Sequence, residues 1–307
     1  MAKKSLKEKI SEGLLFLDGA MGTQLMARGI ESGCNEMLNI ESPGLILDIH
    51  RSYFDAGSNG VYTNTFGANE ITLGRHGYAD KVEQINRAAV EIARKAGGGD
   101  RYVIGDIGPC GEFLKPLGTL EPDKLRNIYA RQAKVLCDGG VDGFVIETFM
   151  AVDEAKVAAE AVKSVCNLPV FVSLAFDQAS SDFRTMMGAS VETAVNEFSA
   201  MGVDALGFNC GTLKMEQYLQ LTEKFVKILK QTPNIKLGAS GTKHIALLAK
   251  PNGGKPELVD GRAVYKLSDS DFGDWLEKIH KAGAVLVGGC CGTTPGHIKV
   301  MVKKLKS

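Results

Sequence analysis

The sequence is that of an α/β protein of the (β/α)8 TIM-type barrel class, and three observations lead there. Eight short apolar runs recur along the 307 residues, mostly continuous rather than alternating, as strands covered on both faces must be. Helical patterns fill the intervals, and no Pro/Gly-rich linker divides the series. Neither a G-x-G-x-x-G nor a G-x-x-x-x-G-K-[ST] follows any run, because Gly105, Gly108 and Gly111 have the wrong spacing; the competing doubly wound nucleotide-binding sheet therefore lacks its fingerprint. One barrel domain over residues 1–307 is the expectation.

The runs fall at residues 14–18, 60–65, 102–107, 143–148, 170–176, 205–210, 235–240 and 284–290. The second is the weakest, with only Val61 and Tyr62 as large apolar residues. Between the second and third, Val82, Ile85, Ala89, Ile92 and Ala96 step by 3, 4, 3 and 4, which builds one helix face over residues 81–96. Val152, Ala155, Ala159, Val162 and Val165 repeat that stripe after the fourth run. Glycines at 57, 140, 202 and 283 stand where a helix must stop just before a strand, a place suited to the left-handed conformation.

Composition narrows the function. Thirty-six basic and 36 acidic residues cancel, so no charge excess favours nucleic acid or an anionic membrane as partner. With 44% hydrophobic and 23% charged residues, the chain can bury a sizeable core. The N-terminal lysines precede no apolar h-region, and runs such as Ala284-Val285-Leu286-Val287 are too short to span a bilayer, so a cytoplasmic location is expected. In such a compartment seven cysteines read as thiols, ligands or nucleophiles rather than disulfides.

Chemistry in such barrels collects at the carboxyl ends of the strands. Those ends read Asp18, Thr63-Asn64-Thr65, Asp106, Glu147-Thr148, Asp177, Asn209-Cys210, Ser240 and Cys290-Cys291, polar or thiol-bearing at every one. The cysteines are the sharpest signal. Strands six and eight are near neighbours around the mouth, and the glycines flanking Cys290 and Cys291 let an adjacent pair turn both sulfurs the same way. Three thiolates and an open fourth position match a zinc site poised for a ligand. Three negative sulfurs make that zinc a poor activator of water but a good holder of a further thiolate, so thiol alkylation is the expected reaction.

Here the blocks become specific. Asp18-Gly19-Ala20-Met21-Gly22-Thr23, Thr63-Asn64-Thr65-Phe66-Gly67-Ala68, Gly207-Phe208-Asn209-Cys210 and Gly288-Gly289-Cys290-Cys291-Gly292-Thr293-Thr294-Pro295 resemble the signatures of the homocysteine S-methyltransferase family. Glu147-Thr148 and Pro251-Asn252-Gly253-Gly254-Lys255-Pro256 also fit, with Gly253 where the family usually has Ala. Gly105-Asp106-Ile107-Gly108-Pro109 looks most like the homocysteine-binding modules of cobalamin-dependent methionine synthases.

The resemblance implies Cys210, Cys290 and Cys291 as zinc ligands. It implies Glu147 and Asp18 at the amino group of homocysteine, and Gly19 and Ala20 backbone N–H groups at its carboxylate. Asn209 and Thr65 would orient the site, and Asn252 would sit on a rim formed by the long connection 243–267. The implied reaction is methyl transfer to homocysteine, giving methionine. A length of 307 residues leaves no room for folate or cobalamin domains, so methylcobalamin on a separate corrinoid protein is the expected donor. Betaine or S-methylmethionine as donor, another small thiol as acceptor, and a non-catalytic barrel with structural zinc are the alternatives.

Overall fold

A computed structural model describes residues 3–233, 236–237 and 244–306. Eight parallel strands make the wall: β1 (Leu15–Phe16), β2 (Gly60–Tyr62), β3 (Tyr102–Ile107), β4 (Gly143–Phe149), β5 (Val170–Leu174), β6 (Ala205–Asn209), β7 (His244–Lys250) and β8 (Leu286–Val287). Hydrogen bonding runs β1-β8-β7-β6-β5-β4-β3-β2, so the sheet curls round until β1 faces β2. That last seam is closed by Asn59 instead of a ladder: its N–H donates to Phe16 O at 2.7 Å, and its Oδ1 accepts from Phe16 N at 2.9 Å. The helices α1 (Pro43–Asp55), α2 (Val82–Gly97), α3 (Pro122–Asp138), α4 (Val152–Val165), α5 (Val191–Met201), α6 (Met215–Gln231), α7 (Asp269–Ala282) and α8 (Pro295–Lys306) follow the strands in turn. The expected barrel is the observed one.

Two strand-level expectations change. The seventh wall strand is His244–Lys250, inside the stretch expected to be a long connection. Ile245-Ala246-Leu247-Leu248-Ala249 is a continuous apolar run, buried throughout, whereas the earlier segment carries only a short strand, Lys236–Leu237, that pairs with the start of β7. Ser240 lies outside the described residues. The cysteine expectation also fails in part: Cys137, at the end of α3, is disulfide-bonded to Cys166, which caps α4. These two helices pack side by side, which brings together residues 29 apart in sequence.

Side-chain alternation separates two cores. Tyr102, Ile104, Val145, Phe171, Ala246, Leu248 and Leu286 fill the barrel interior, while Val103, Phe144, Ile146, Val172, Leu247 and Val287 face the helices. The short helix Leu6–Ser11 stoppers the amino-terminal end, adding Leu6 and Ile10 to the interior, and Ser5 and Glu8 fix its start through a capping box. Continuing the two-residue period upward from Ile104, Val145 and Leu248 gives Asp106, Glu147 and Lys250. The apolar interior thus ends in an ionisable layer at the carboxyl-terminal mouth.

One buried group makes the scaffold sensitive to acid. His50, on the inner face of α1, is fully buried, neither ring nitrogen has a hydrogen-bond partner among the described residues, and burial drops its pKa to about 4. The unfolded chain takes up that proton below about 6.5, so stability present at neutral pH is lost as pH falls from 6.5 toward 4, by about 3 kcal/mol in full. His50→Leu should flatten this part of the pH–stability curve in denaturant titrations. An unchanged slope between pH 6.5 and 4 would show that His50 is not the group responsible.

Candidate metal centre

The three cysteines expected to converge do so. The Sγ atoms of Cys210, Cys290 and Cys291 all lie within 4.8 Å of one another, with Cys210 and Cys291 4.0 Å apart. A tetrahedral zinc with bonds of about 2.3 Å needs sulfurs roughly 3.8 Å apart, a spacing the cluster can reach by side-chain shifts of about 1 Å or less. Cys210 follows β6 with φ 57°, a left-handed conformation that costs a non-glycine residue about 1–2 kcal/mol. Two contacts hold it there: Tyr218 Oη donates to Cys210 O at 2.5 Å, and Asn252 Nδ2 donates to Gly211 O at 2.8 Å.

The adjacent pair is turned by its surroundings. Cys290 N donates to Pro251 O and Gly253 N donates to Cys291 O, each at 2.8 Å, which ties both residues to the chain leaving β7. Gly292, at φ 77°, then reverses the backbone beneath the Tyr265 ring, where a Cβ would stand 2.1 Å from the ring. Thr293 Oγ1 closes the turn on Cys290 O at 2.7 Å. Before any ion binds, the cluster shares its charge. The Cys210 thiol is shifted down because Cys290 and Cys291 hydrogen-bond its thiolate, and those two thiols are shifted up by the same contact. A dication is what would take the remaining protons off.

Beside the sulfurs lies a cavity of about 250 Å³ whose wall includes Asp18, Gly19, Ala20, Asp106, Glu147 and Lys250. Lys250 was not anticipated. It is 3% exposed, its Nζ donates to Asp18 Oδ1 at 2.7 Å, and it stands 3.6 Å from the centroid of the Tyr62 ring. Burial works against its charge, but Asp18 and Glu147 outweigh that and hold its pKa above the usual value. The other oxygen of Asp18 accepts from Tyr62 N at 2.8 Å. Glu147 is pushed up to about 8, chiefly by burial, with Lys250 opposing and Cys290 and Asp18 adding.

The remaining expected residues divide. Gly19 and Ala20 line the cavity, although Ala20 N already donates to Thr293 Oγ1 at 3.2 Å. Asn209 braces the centre from behind: its Oδ1 accepts from Thr148 N and Ser173 Oγ, and its Nδ2 reaches Thr148 Oγ1 and, at 3.5 Å, Cys290 Sγ. Thr65 is not part of the cavity wall. Its hydroxyl bonds Thr63 Oγ1 and Asp106 O, so any influence runs through the β2–β3 contact. Asn252 is buried immediately after β7 rather than out on a rim.

Comparison with known sequences decides the family. The homocysteine S-methyltransferase family model matches residues 15–305. The chain belongs to that family. That is the family the resemblance implied. Methionine synthase from Mycobacterium tuberculosis is 33% identical over 316 residues, covering 96% of this chain and 25% of that protein, so the chain spans about a quarter of this relative. Among solved structures, the Escherichia coli homocysteine methyltransferase MmuM in oxidised form superposes at TM-score 0.76 with 24% identity, over 99% of this chain and 98% of that one. Its metallated form gives 0.75 at the same identity over 96% of each chain. Likeness at that identity bears on the barrel fold alone. Among the described residues, no helix is long and apolar enough to cross a membrane.

Proposed function

We propose that the chain transfers a methyl group to the thiol of homocysteine, giving methionine, with zinc held by Cys210, Cys290 and Cys291. One observation carries the reading: three sulfurs spaced for zinc form one side of a small cavity with acidic groups in its wall. Bound there, zinc would lower the pKa of an incoming thiol and keep its sulfur electron-rich at neutral pH. Glu147 takes the ammonium group of homocysteine. Asp18 supports it with its remaining lone pairs, its own charge being already balanced by Lys250. The Gly19-Ala20 backbone faces the carboxylate. Asn209 keeps Cys290 and Thr148 in register, Asn252 holds the Cys210 turn, and Thr65 supports the backbone of Asp106.

The cavity size also bears on the donor. About 250 Å³ suits one amino acid and cannot enclose a corrinoid, so methylcobalamin on a partner protein would present its methyl group at the open mouth. Betaine or S-methylmethionine would have to share the cavity with the acceptor. The test is methionine formation by the zinc-loaded protein, supplied with homocysteine and, in turn, a methylcorrinoid protein, betaine and S-methylmethionine. Turnover with the corrinoid protein is expected, and turnover with either small donor instead would replace the donor assignment. No turnover with any donor would refute the reading. In the same assay Glu147→Gln should weaken homocysteine binding by about tenfold to a hundredfold, the loss of a charge-assisted hydrogen bond, with zinc content unchanged.

A further inference from the structure

Asp106 is an acidic group of this cavity that none of the roles above employs through its side chain. It stands at the top of β3, next to β4, which carries Glu147, and is 5% exposed. Among the described residues its Oδ1 has no hydrogen-bond partner. An orphaned buried carboxylate oxygen is costly, and natural proteins keep one where something else comes to satisfy it. Its backbone, in contrast, is fully tied: Asp106 N donates to Thr63 Oγ1 at 3.0 Å, and Asp106 O accepts from Thr65 Oγ1 at 2.7 Å. The backbone that carries the side chain is therefore fixed, and the acceptor is left over.

The charges around it describe the missing partner. Asp18, Glu36, Asp106 and Glu147 all line the cavity, and Lys250 is the one cation among its lining residues. Lys250 is committed to Asp18, and Glu36 Oε1 to Gly67 N at 2.7 Å. Glu147 and Asp106 remain, and Asp106 is shifted well upward, by burial first and by Glu147 next. Tyr62 Oη, in the same wall, also lacks a hydrogen-bond partner among the described residues. A positively charged guest with three N–H donors would serve Glu147, Asp106 and the remaining lone pairs of Asp18 together, and an alkylammonium has that chemistry.

We propose that Asp106 binds the substrate's ammonium group together with Glu147, forming a two-carboxylate cradle that selects an α-amino thiol over a thiol lacking the amino group. This rests on the homocysteine reading and extends it to substrate selection. The cradle adds a second charge-assisted hydrogen bond, and the ammonium in turn allows both carboxylates to ionise side by side.

The test compares homocysteine with 4-mercaptobutanoate, which keeps the thiol and carboxylate but lacks the amino group. Binding of each to the zinc-loaded wild type and to Asp106→Asn is measured by calorimetry. The wild type should prefer homocysteine. Asp106→Asn should bind homocysteine about tenfold to a hundredfold more weakly and 4-mercaptobutanoate within about twofold of wild type. Retained affinity for the amino-free thiol shows that the variant's site is folded. Unchanged homocysteine affinity would overturn the proposal, because Asn mimics an aspartic acid that merely keeps its proton. An equal loss for both ligands would overturn it too, reducing Asp106 to a structural role. A wild type that binds neither ligand, or binds the amino-free thiol better, would defeat the homocysteine reading itself, a result distinct from failure of the variant alone.

Discussion

Lys250→Met should destabilise the protein by about 3–5 kcal/mol, the cost of leaving a buried carboxylate without its counter-charge. The geometry leaves Asp18 little recourse. Lys250 and Asp18 are 3% and 5% exposed, their ion pair is 2.7 Å long, and the other carboxylate oxygen of Asp18 accepts from the Tyr62 amide. Loss of the ammonium above the Tyr62 ring removes a cation–π contact as well, worth roughly 1–2 kcal/mol in a desolvated setting. Adding Asp18→Asn should recover most of the loss, because two neutral groups of similar size carry no uncompensated charge. Thermal melting of the wild type, the single variant and the double variant closes the cycle. A single-variant loss below about 1 kcal/mol would mean that Asp18 takes up a proton once alone, and that the pair contributes little as an ion pair.

That pair also marks where sequence reasoning runs out. Its partners are 232 residues apart and meet only because β7 and β1 flank β8 in the closed wall. Lysine is rarely buried, so a lysine closing an apolar run reads as the first exposed residue after a strand. The same effect displaced the seventh strand: His244–Lys250 ends in that lysine, and the earlier segment 235–240 ends in small polar residues that look like a normal strand end. The disulfide between Cys137 and Cys166 was hidden for a related reason, since two helix ends meet only after both helices pack on the barrel.

The cysteine cluster was legible because its signal is local. A Cys-Cys pair between glycines, and a third cysteine just after another apolar run, place sulfurs at two strand ends whatever the exact register. Asp106 was visible as a polar strand end but not as a ligand. Its lone acceptor is apparent only once the neighbouring groups are seen to be satisfied elsewhere.

Cys290→Ala should reduce bound zinc from about one equivalent to near none and methyl transfer by more than about a hundredfold, while the barrel stays folded. The two parts of that expectation have separate causes. Two remaining sulfurs cannot match the affinity of three for a soft-accepting ion, so occupancy falls with the ligand. The fold does not lean on this side chain: Cys290 is joined to its surroundings through its backbone, by Pro251 O on one side and Thr293 on the other, and outside the sulfur cluster its Sγ accepts a long contact of 3.5 Å from Asn209. The wall beneath it is held by Leu286 and Val287, fully buried in the two cores. Metal analysis, a melting curve and the methyl-transfer assay on one preparation test all three statements. Cys110→Ala is the control, since Cys110 is fully buried just after β3 and is absent from the sulfur cluster, so its removal should leave zinc in place. Full zinc retention by Cys290→Ala would remove this residue from the ligand set. Zinc loss accompanied by unfolding would instead make the ion structural, and the open coordination position on which the proposed reaction depends would have to be abandoned.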